Sequence, residues 1–335
     1  MSANGTCIFR LEDLGQGDSS LFGKKCANLG ELTRAGFQVP PGFALSVAAY
    51  DQFMKETGAL DEIRRHFSAF DADPNNPKDM PKFSEFSRIV REIVESAAMP
   101  ASLANAICDL YAEICRKTGI ENVFVSTRSA GPQSHPGQYE SYLFVRGRDE
   151  VLLNVQKVWS STFNTRSLVA RARKGLPLDY DPIGVAVLRM VDAKAAGVMF
   201  TAEPTMGVGW KVVIEGNWGV GESVVSGGVT PDHWVVDKRS GDIIECKIPQ
   251  KTIQYTLDAA TGKAASLEVG SDQQCEACMT NEEIVALAKV GERIERHFNR
   301  PQDIEWAIDK ERPANIFVLQ TRDEKFHIEL HLAGF

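Results

Sequence analysis

At residue 122 the chain changes character, and this change limits the folds open to it. Residues 47–118 read mostly as helix, with AAYDQFMKE and the long run around SEFSRIVREIVESAA as the clearest stretches. From 122 onward short apolar runs take over: NVFVSTRSA, VAVLRMV (185–191), GVMFT (197–201), KVVIEG (211–216), HWVVD (233–237) and IIECKI. Runs of this length, broken by glycine and proline, read as strands. Helices first and mixed strands later predict an α+β, or mixed α/β, architecture. At 335 residues, with about 100–200 residues per domain, two lobes are expected.

Local signals fill in this outline. CANLGELTRAG (26–36) predicts a short helix ending at Gly36, and Val39-Pro40-Pro41-Gly42-Phe43 a rigid turn into an extended segment. ADPNNPKDMP (72–81) reads as a loop. Residues 150–174 predict one helix, with Val151, Val155, Val158 and Phe163 roughly on one face. Asp237–Gly241 reads as a turn. Thr280-Asn-Glu-Glu283 is a capping box ahead of a helix whose apolar face is Ile284, Leu287, Ala288 and Ile294. The chain closes on two strands, DIEWAID (303–309) and IFVLQTR (316–322), joined by KERPAN.

Composition narrows the function classes. A net charge of -8 and a pI near 5.4 argue against a nucleic-acid binder, which needs a basic field. No apolar run approaches the ~18–20 residues of a membrane helix, and MSANGTCIFRLEDLG lacks the basic start and apolar stretch of a signal peptide. A cytoplasmic location is the expectation. Seven scattered cysteines suit a reducing compartment better than a disulfide framework. Cys275-Glu-Ala-Cys278 is a lone CxxC; with no second pair to complete a zinc shell it reads as ordinary thiols.

Several groups of residues can carry chemistry. On a regular final hairpin, Asp303 and Glu305 share one face of their strand, and Val318, Gln320 and Arg322 share one face of the next, with Phe317, Leu319 and Thr321 opposite. Carboxylate and amide oxygens are the hard ligands Mg²⁺ prefers, and an arginine beside them suits a phosphate. Alternation on a solvated strand would also produce such a face. Gly23-Lys24-Lys25-Cys26 precedes a predicted helix, a setting that suits phosphate, although surface lysines look the same. It is no P-loop, because Gly17 to Gly23 is one residue too long and Lys25 stands where Ser or Thr belongs. Ser126-Thr127-Arg128-Ser129-Ala130-Gly131 sets an arginine among small residues at a strand end, ahead of a PQSHPGQYES loop. Gly219-Val-Gly-Glu222 is a glycine cluster that also reads as a tight turn. His135 reads as a loop contact, and His327 and His331 as part of a solvated tail.

The order of these pieces is more specific than any one of them. GKKCANLGELTRAGFQVPPGFALSVAAYDQF resembles the start of phosphoenolpyruvate synthase and pyruvate phosphate dikinase. So do STRSAGPQSHPGQYESYL, VWSSTFNTRSLVARARKGL, GVMFTAEP, GNWGVGESVVSGGVTPDHW and DIEWAID…VLQTR, from about residue 12 to 323. The resemblance implies an ATP-grasp fold of two lobes with the nucleotide bound between them. The lobes would be residues 1–195 and 196–325, with a tail at 326–335. It implies ATP and Mg²⁺ as ligands. Lys25 matches the family's phosphate-contacting lysine, Arg128 its phosphate-binding arginine and Arg322 its closing arginine, the three expected in catalysis. Glu305 and Gln320 match the metal- and phosphate-handling pair, with Asp303 beside them, and Glu222 matches the acid of the GxGE motif. Lys24 replaces a usual glycine, and Leu188 stands where many relatives place a glutamine near the adenine.

Relatives continue into a swivelling domain with a phosphorylated histidine in a TSHAA-like motif, then an acceptor-binding barrel, and nothing in this sequence resembles that motif. The resemblance therefore implies partners: a histidine-bearing swivelling-domain subunit, and an acceptor-binding subunit or domain. Such a split arrangement resembles phenylphosphate synthase, with phenol as acceptor. A phosphoenolpyruvate synthase-like or rifamycin phosphotransferase component, a plain ATPase and a non-catalytic nucleotide-sensing subunit are the alternatives.

Overall fold

The computed structural model describes residues 7–131, 139–203, 209–312 and 315–324. The predicted tail at 326–335, His135, His327 and His331 lie outside them. The chain forms two units, one of residues Met1–Glu31 with Pro41–Met190, the other of Leu32–Pro40 with Val191–Phe335.

The first unit pairs a layer of helices with a sheet. After α1 (Ser19–Arg34) come α2 (Val47–Glu56), α3 (Ala59–Ser68), α4 (Met80–Ser96), α5 (Ala101–Thr118), α6 (Arg148–Ser160) and α7 (Thr165–Arg173). The stripe that builds α4 is plain in sequence: Phe83, Phe86, Val90 and Val94 recur at three- and four-residue spacing, and all are buried. They join Tyr50, Phe53, Trp159 and Phe163 in the core, where the Phe53 and Trp159 rings sit 5.0 Å apart. The single helix expected over 150–174 is two. Asn164 turns extended and its side chain accepts from the Ser167 amide at 2.8 Å, which starts α7 afresh. The strands are β1 (Ile8–Arg10), β2 (Gly42–Leu45), β3 (Val125–Ala130), β4 (Ser141–Val145) and β5 (Gly184–Arg189). They form one antiparallel sheet in the order β1-β2-β5-β3-β4. Neither β1 nor β4 was expected.

In the second unit β6 (Ala193–Phe200), β7 (Lys211–Trp218), β8 (Asp232–Asp237) and β9 (Ile243–Lys247) join a sheet completed late in the chain. Between lie the short α8 (Glu222–Val225) and an unanticipated hairpin, β10 (Ile253–Asp258) and β11 (Lys263–Glu268). After α9 (Asn281–Phe298) come β12 (Gln302–Asp309) and β13 (Ile316–Asp323), giving the order β13-β12-β6-β7-β8-β9. The capping box forms: Thr280 Oγ1 accepts from the Glu283 amide, and the Glu283 carboxylate accepts from the Thr280 amide at 2.7 Å. Helix α9 covers one face of the sheet, where Met199, Ile214, Trp234, Ile304 and Trp306 are buried. A Cβ on its Gly291 would stand 2.7 Å from Met199 Cε, so a side chain there would displace the end of Met199. Residues 32–40 belong here because the Val318 amide donates to Gln38 O at 2.8 Å and Arg293 lies 4.8 Å over the Phe37 ring.

All seven cysteines are free. Cys278 is a core thiol, pushed up in pKa by burial, and its amide donates to Asp232, which also holds fully buried Lys251 at 2.5 Å. Among the described residues no group of three or more His, Cys, Asp or Glu forms a metal cluster, and no helix is long and apolar enough to cross a membrane.

Candidate functional site

In the first unit, Gly23 decides where Lys25 goes. Its φ of 76° and ψ of 157° break α1, so that helix restarts with Lys24 and Lys25 in its first turn. Lysines there oppose the helix dipole, and a bound anion relieves the conflict. A Cβ on Gly23 would stand 2.5 Å from Gly131 O, so the backbone presses directly on the end of β3, the strand carrying Arg128. Lys25 and Arg128 are near enough to act together on the buried Cys26 thiol: burial pushes that thiol up to about 12, and both cations pull the other way. The family resemblance expects both at the phosphates, although no local pattern in the sequence brings them together. Gly23→Ala must place a side chain in a backbone region open essentially to glycine and against a carbonyl, at about 1–3 kcal/mol for the backbone alone. The expected result is a lower unfolding midpoint together with weaker nucleotide binding, checked by denaturant titration and calorimetry.

In the second unit, the hairpin β12–β13 gathers the four predicted residues. Glu305 pairs with Gln320, and Asp303 with Arg322. One expectation fails. The register shifts between Glu305 and Trp306, so that Trp306 faces Val318 while Leu319 is the extra residue of a bulge. Val318 therefore lies on the α9 side and not with Gln320, and Phe317 lies on the Gln320 side. Parity counted along an ideal strand does not survive an inserted residue.

Arg322 donates twice to Asp303 Oδ2, from Nε at 2.7 Å and from Nη2 at 2.6 Å. Burial raises the Asp303 carboxyl, Arg322 opposes that shift, and the charge of Glu305 adds to it, so the two acids feel each other. Gln320 is buried, and its Oε1 has no hydrogen-bond partner among the described residues. A buried amide oxygen without a donor is costly unless something else satisfies it. An oxygen-seeking cation fits: Mg²⁺ takes one or two protein oxygens and fills its shell with water and phosphate. Glu305, opposite Gln320, would supply the charged ligand to such a cation.

Sequence inspection missed a third acid on this face. In register Glu305 neighbours Val198, which neighbours Glu215, and Glu215 Oε1 lies 3.4 Å from His233 Nδ1. The signal was present as a lone acid in the apolar run KVVIEG. Glu222 opens α8 on the same side of the sheet, where Gly221 approaches Ala196 and Asn217 Nδ2 donates to Ser223 Oγ at 3.2 Å. Its charge raises Tyr255, after burial. Glu324, just past the hairpin, is pushed up to about 7, chiefly by burial, and its buried Oε1 has no hydrogen-bond partner among the described residues. Its folded pKa exceeds the unfolded value, so the folded state binds more protons across that interval. The stability this group contributes is present at low pH and is lost as pH rises through about 7. Glu324→Gln is expected to flatten the fall in denaturant midpoint between pH 5 and pH 8, relative to the unsubstituted chain.

Comparison with known proteins gives the family. The family profile described as "Pyruvate phosphate dikinase, AMP/ATP-binding domain" matches residues 19–331. The chain belongs to this dikinase family. A probable phosphoenolpyruvate synthase of Methanothermobacter thermautotrophicus is 37% identical over 317 residues, covering 93% of this chain and 45% of the relative. The phosphoenolpyruvate synthase of Pyrococcus furiosus is 32% identical over 349 residues, covering 93% and 43%. The chain thus spans less than half the length of these curated relatives. Among solved structures, L-amino acid ligase from Bacillus licheniformis aligns over 82% of this chain and 56% of its own, at 12% identity and a TM-score of 0.28, a likeness that bears on neither fold nor function. The dikinase-family domain in this chain is thus a mixed α/β structure, with Lys25 and Arg128 in one unit and Asp303, Glu305, Gln320 and Arg322 in the other.

Proposed function

We propose that this chain binds Mg-ATP in an ATP-grasp manner and passes its β,γ-diphosphate to a histidine on a swivelling-domain partner. The observation that carries the reading is the Glu305–Gln320 pair with its unpartnered amide oxygen, flanked by the Asp303–Arg322 clamp, in a chain of the dikinase family. Lys25 and Arg128 serve as phosphate cations, Arg322 as a guanidinium held ready by Asp303, and Glu222 as a further acid of the site. Magnesium, held by Glu305 and Gln320, would draw charge off the phosphate oxygens. Phosphoryl transfer depends on positioning and on neutralising charge more than on covalent help from the protein.

In this reading the partner's histidine nitrogen bonds to the β-phosphorus as the α,β-bridging bond breaks, and AMP leaves with the bridging oxygen. Water then releases phosphate, and the remaining phosphohistidine phosphorylates the final acceptor on an acceptor-binding subunit or domain. Two acceptors are carried. Phenol follows from the resemblance to phenylphosphate synthase, and pyruvate is favoured by the names of the relatives. A cytoplasmic setting is supported by seven free cysteines. The test incubates this chain with candidate partner subunits and ATP labelled at the β-phosphate. Acid-labile label on a partner histidine, with AMP as coproduct, is expected. ADP as the nucleotide product would sink the dikinase reading and leave an ATPase, and adding phenol or pyruvate separates the acceptors.

A further inference from the structure

We propose that the Arg91–Glu140–Tyr142 network is a positioning device for Arg128; the proposal rests on reading Arg128 as a phosphate-binding residue. Among the described residues strand β4 is the edge of its sheet and pairs only with β3. Its backbone hold on β3 is poor. The pairs Thr127–Tyr142 and Arg128–Ser141 are in register, but a shift separates them from Val125–Val145. Within the shifted segment Phe144 has a φ of 55°, a strained conformation for a bulky residue, held by an edge-on contact with Phe124 at 5.9 Å. Edge strands interrupted in this way specify register weakly through the ladder alone.

Side chains supply what the ladder lacks. Glu140 and Tyr142 straddle Ser141, the residue opposite Arg128, and being two apart they fall on one side. Arg91 of α4 grips the Glu140 carboxylate with both terminal nitrogens, at 2.7 and 2.9 Å, a forked geometry that fixes orientation as well as distance. The Tyr142 hydroxyl donates to the same carboxylate. Arg91 is itself held, since its Nε donates to Glu95 Oε1, which accepts from Ser160 Oγ of α6 at 2.5 Å. Next to Glu140, the Tyr139 hydroxyl donates to Asp181 Oδ2 at 2.8 Å. Helices α4 and α6, whose inner faces are core, thus set the register of β4, and β4 sets the residue beside Arg128 on that side, Ala186 of β5 standing on the other. Glu140 and Tyr142 lie on the face of β4 opposite to Ser141 and Arg128, so the network acts on phosphate only through the placing of Arg128.

The experiment titrates Mg-ATP and adenosine into the full chain by calorimetry, for the unsubstituted protein, Glu140→Gln, Arg128→Ala and the double variant. Glu140→Gln keeps the shape and removes the charge that Arg91 grips. The expected result is about a tenfold loss of Mg-ATP affinity, with adenosine, which has no phosphate, unchanged. In the Arg128→Ala background the second substitution should cost nothing further. Tyr142→Phe removes one hydrogen bond and should repeat the pattern at smaller amplitude, which covers the case in which Glu140→Gln does not fold. Mg-ATP binding by Glu140→Gln and Tyr142→Phe equal to the unsubstituted chain, losses that add in full to that of Arg128→Ala, or an equal loss for adenosine would each overturn the proposal. Unsubstituted protein that takes up no Mg-ATP, or Arg128→Ala that binds it normally, would instead remove the reading beneath it, and the proposal with it.

Discussion

Glu305→Ala is expected to stop phosphorylation of the partner histidine while the chain stays folded. The backbone pairs of Glu305 with Gln320 and Val198 do not depend on its side chain, and the buried face of the same strand is carried by Ile304, Trp306 and Ile308. What is lost is the charged member of an oxygen pair. Gln320 alone is a neutral ligand, and a divalent cation held by one amide oxygen gives up most of its anchorage to the protein. Removing a group of this kind from a charge-stabilising site lowers turnover by about a hundredfold or more. Glu305→Gln should be nearly as damaging, because shape is kept and charge is not. Circular dichroism and the unfolding midpoint check the fold, and label transfer as a function of magnesium concentration checks the role. Turnover retained at ordinary magnesium would contradict it.

Arg128→Ala and Lys25→Ala form the second pair, each expected to reduce kcat/KM for ATP by about a hundredfold. Their effects should not multiply in the double variant, since both cations act on one local field, as their joint pull on Cys26 attests. Arg128→Lys should restore little, because an ammonium lacks the planar fork of a guanidinium. Stability should move the other way. Lys25 stands in the first turn of a helical segment and beside another cation, so its removal should leave the unfolding midpoint unchanged or raise it, by about 0.3–1 kcal/mol for the dipole contribution. A midpoint that falls with activity would mean Lys25 serves the fold.

Much of this was legible in the residues themselves. The stripe of Phe83, Phe86, Val90 and Val94 announces α4, and Thr280 with Glu283 announces the start of α9, because both signals are local. The hairpin of Asp303, Glu305, Gln320 and Arg322 was legible as a pair of alternating strands. The bulge at Leu319 was not, because alternation counts residues and the ladder counts pairs. Strand β4 escaped notice because three of its five residues are only half-buried and its backbone departs from extended geometry at Phe144. The hairpin β10–β11 escaped for a related reason, since its strands are mostly half-exposed and carry no clean apolar face. The nearness of Gly23 to Gly131 depends on residues more than a hundred positions apart, and no local pattern encodes it.

The stretch Leu32–Pro40 ties its fate to residues that follow it by some way in the chain. A protease nick after Met190 would therefore not yield two self-sufficient halves. The C-terminal piece would begin without Gln38, whose carbonyl receives the Val318 amide, and without Phe37, on which Arg293 rests. Reassembly in trans would have to bring that peptide back from the other fragment. Any truncation meant to isolate the β12–β13 hairpin must graft it on, or leave β13 short of a hydrogen bond that the intact polypeptide supplies.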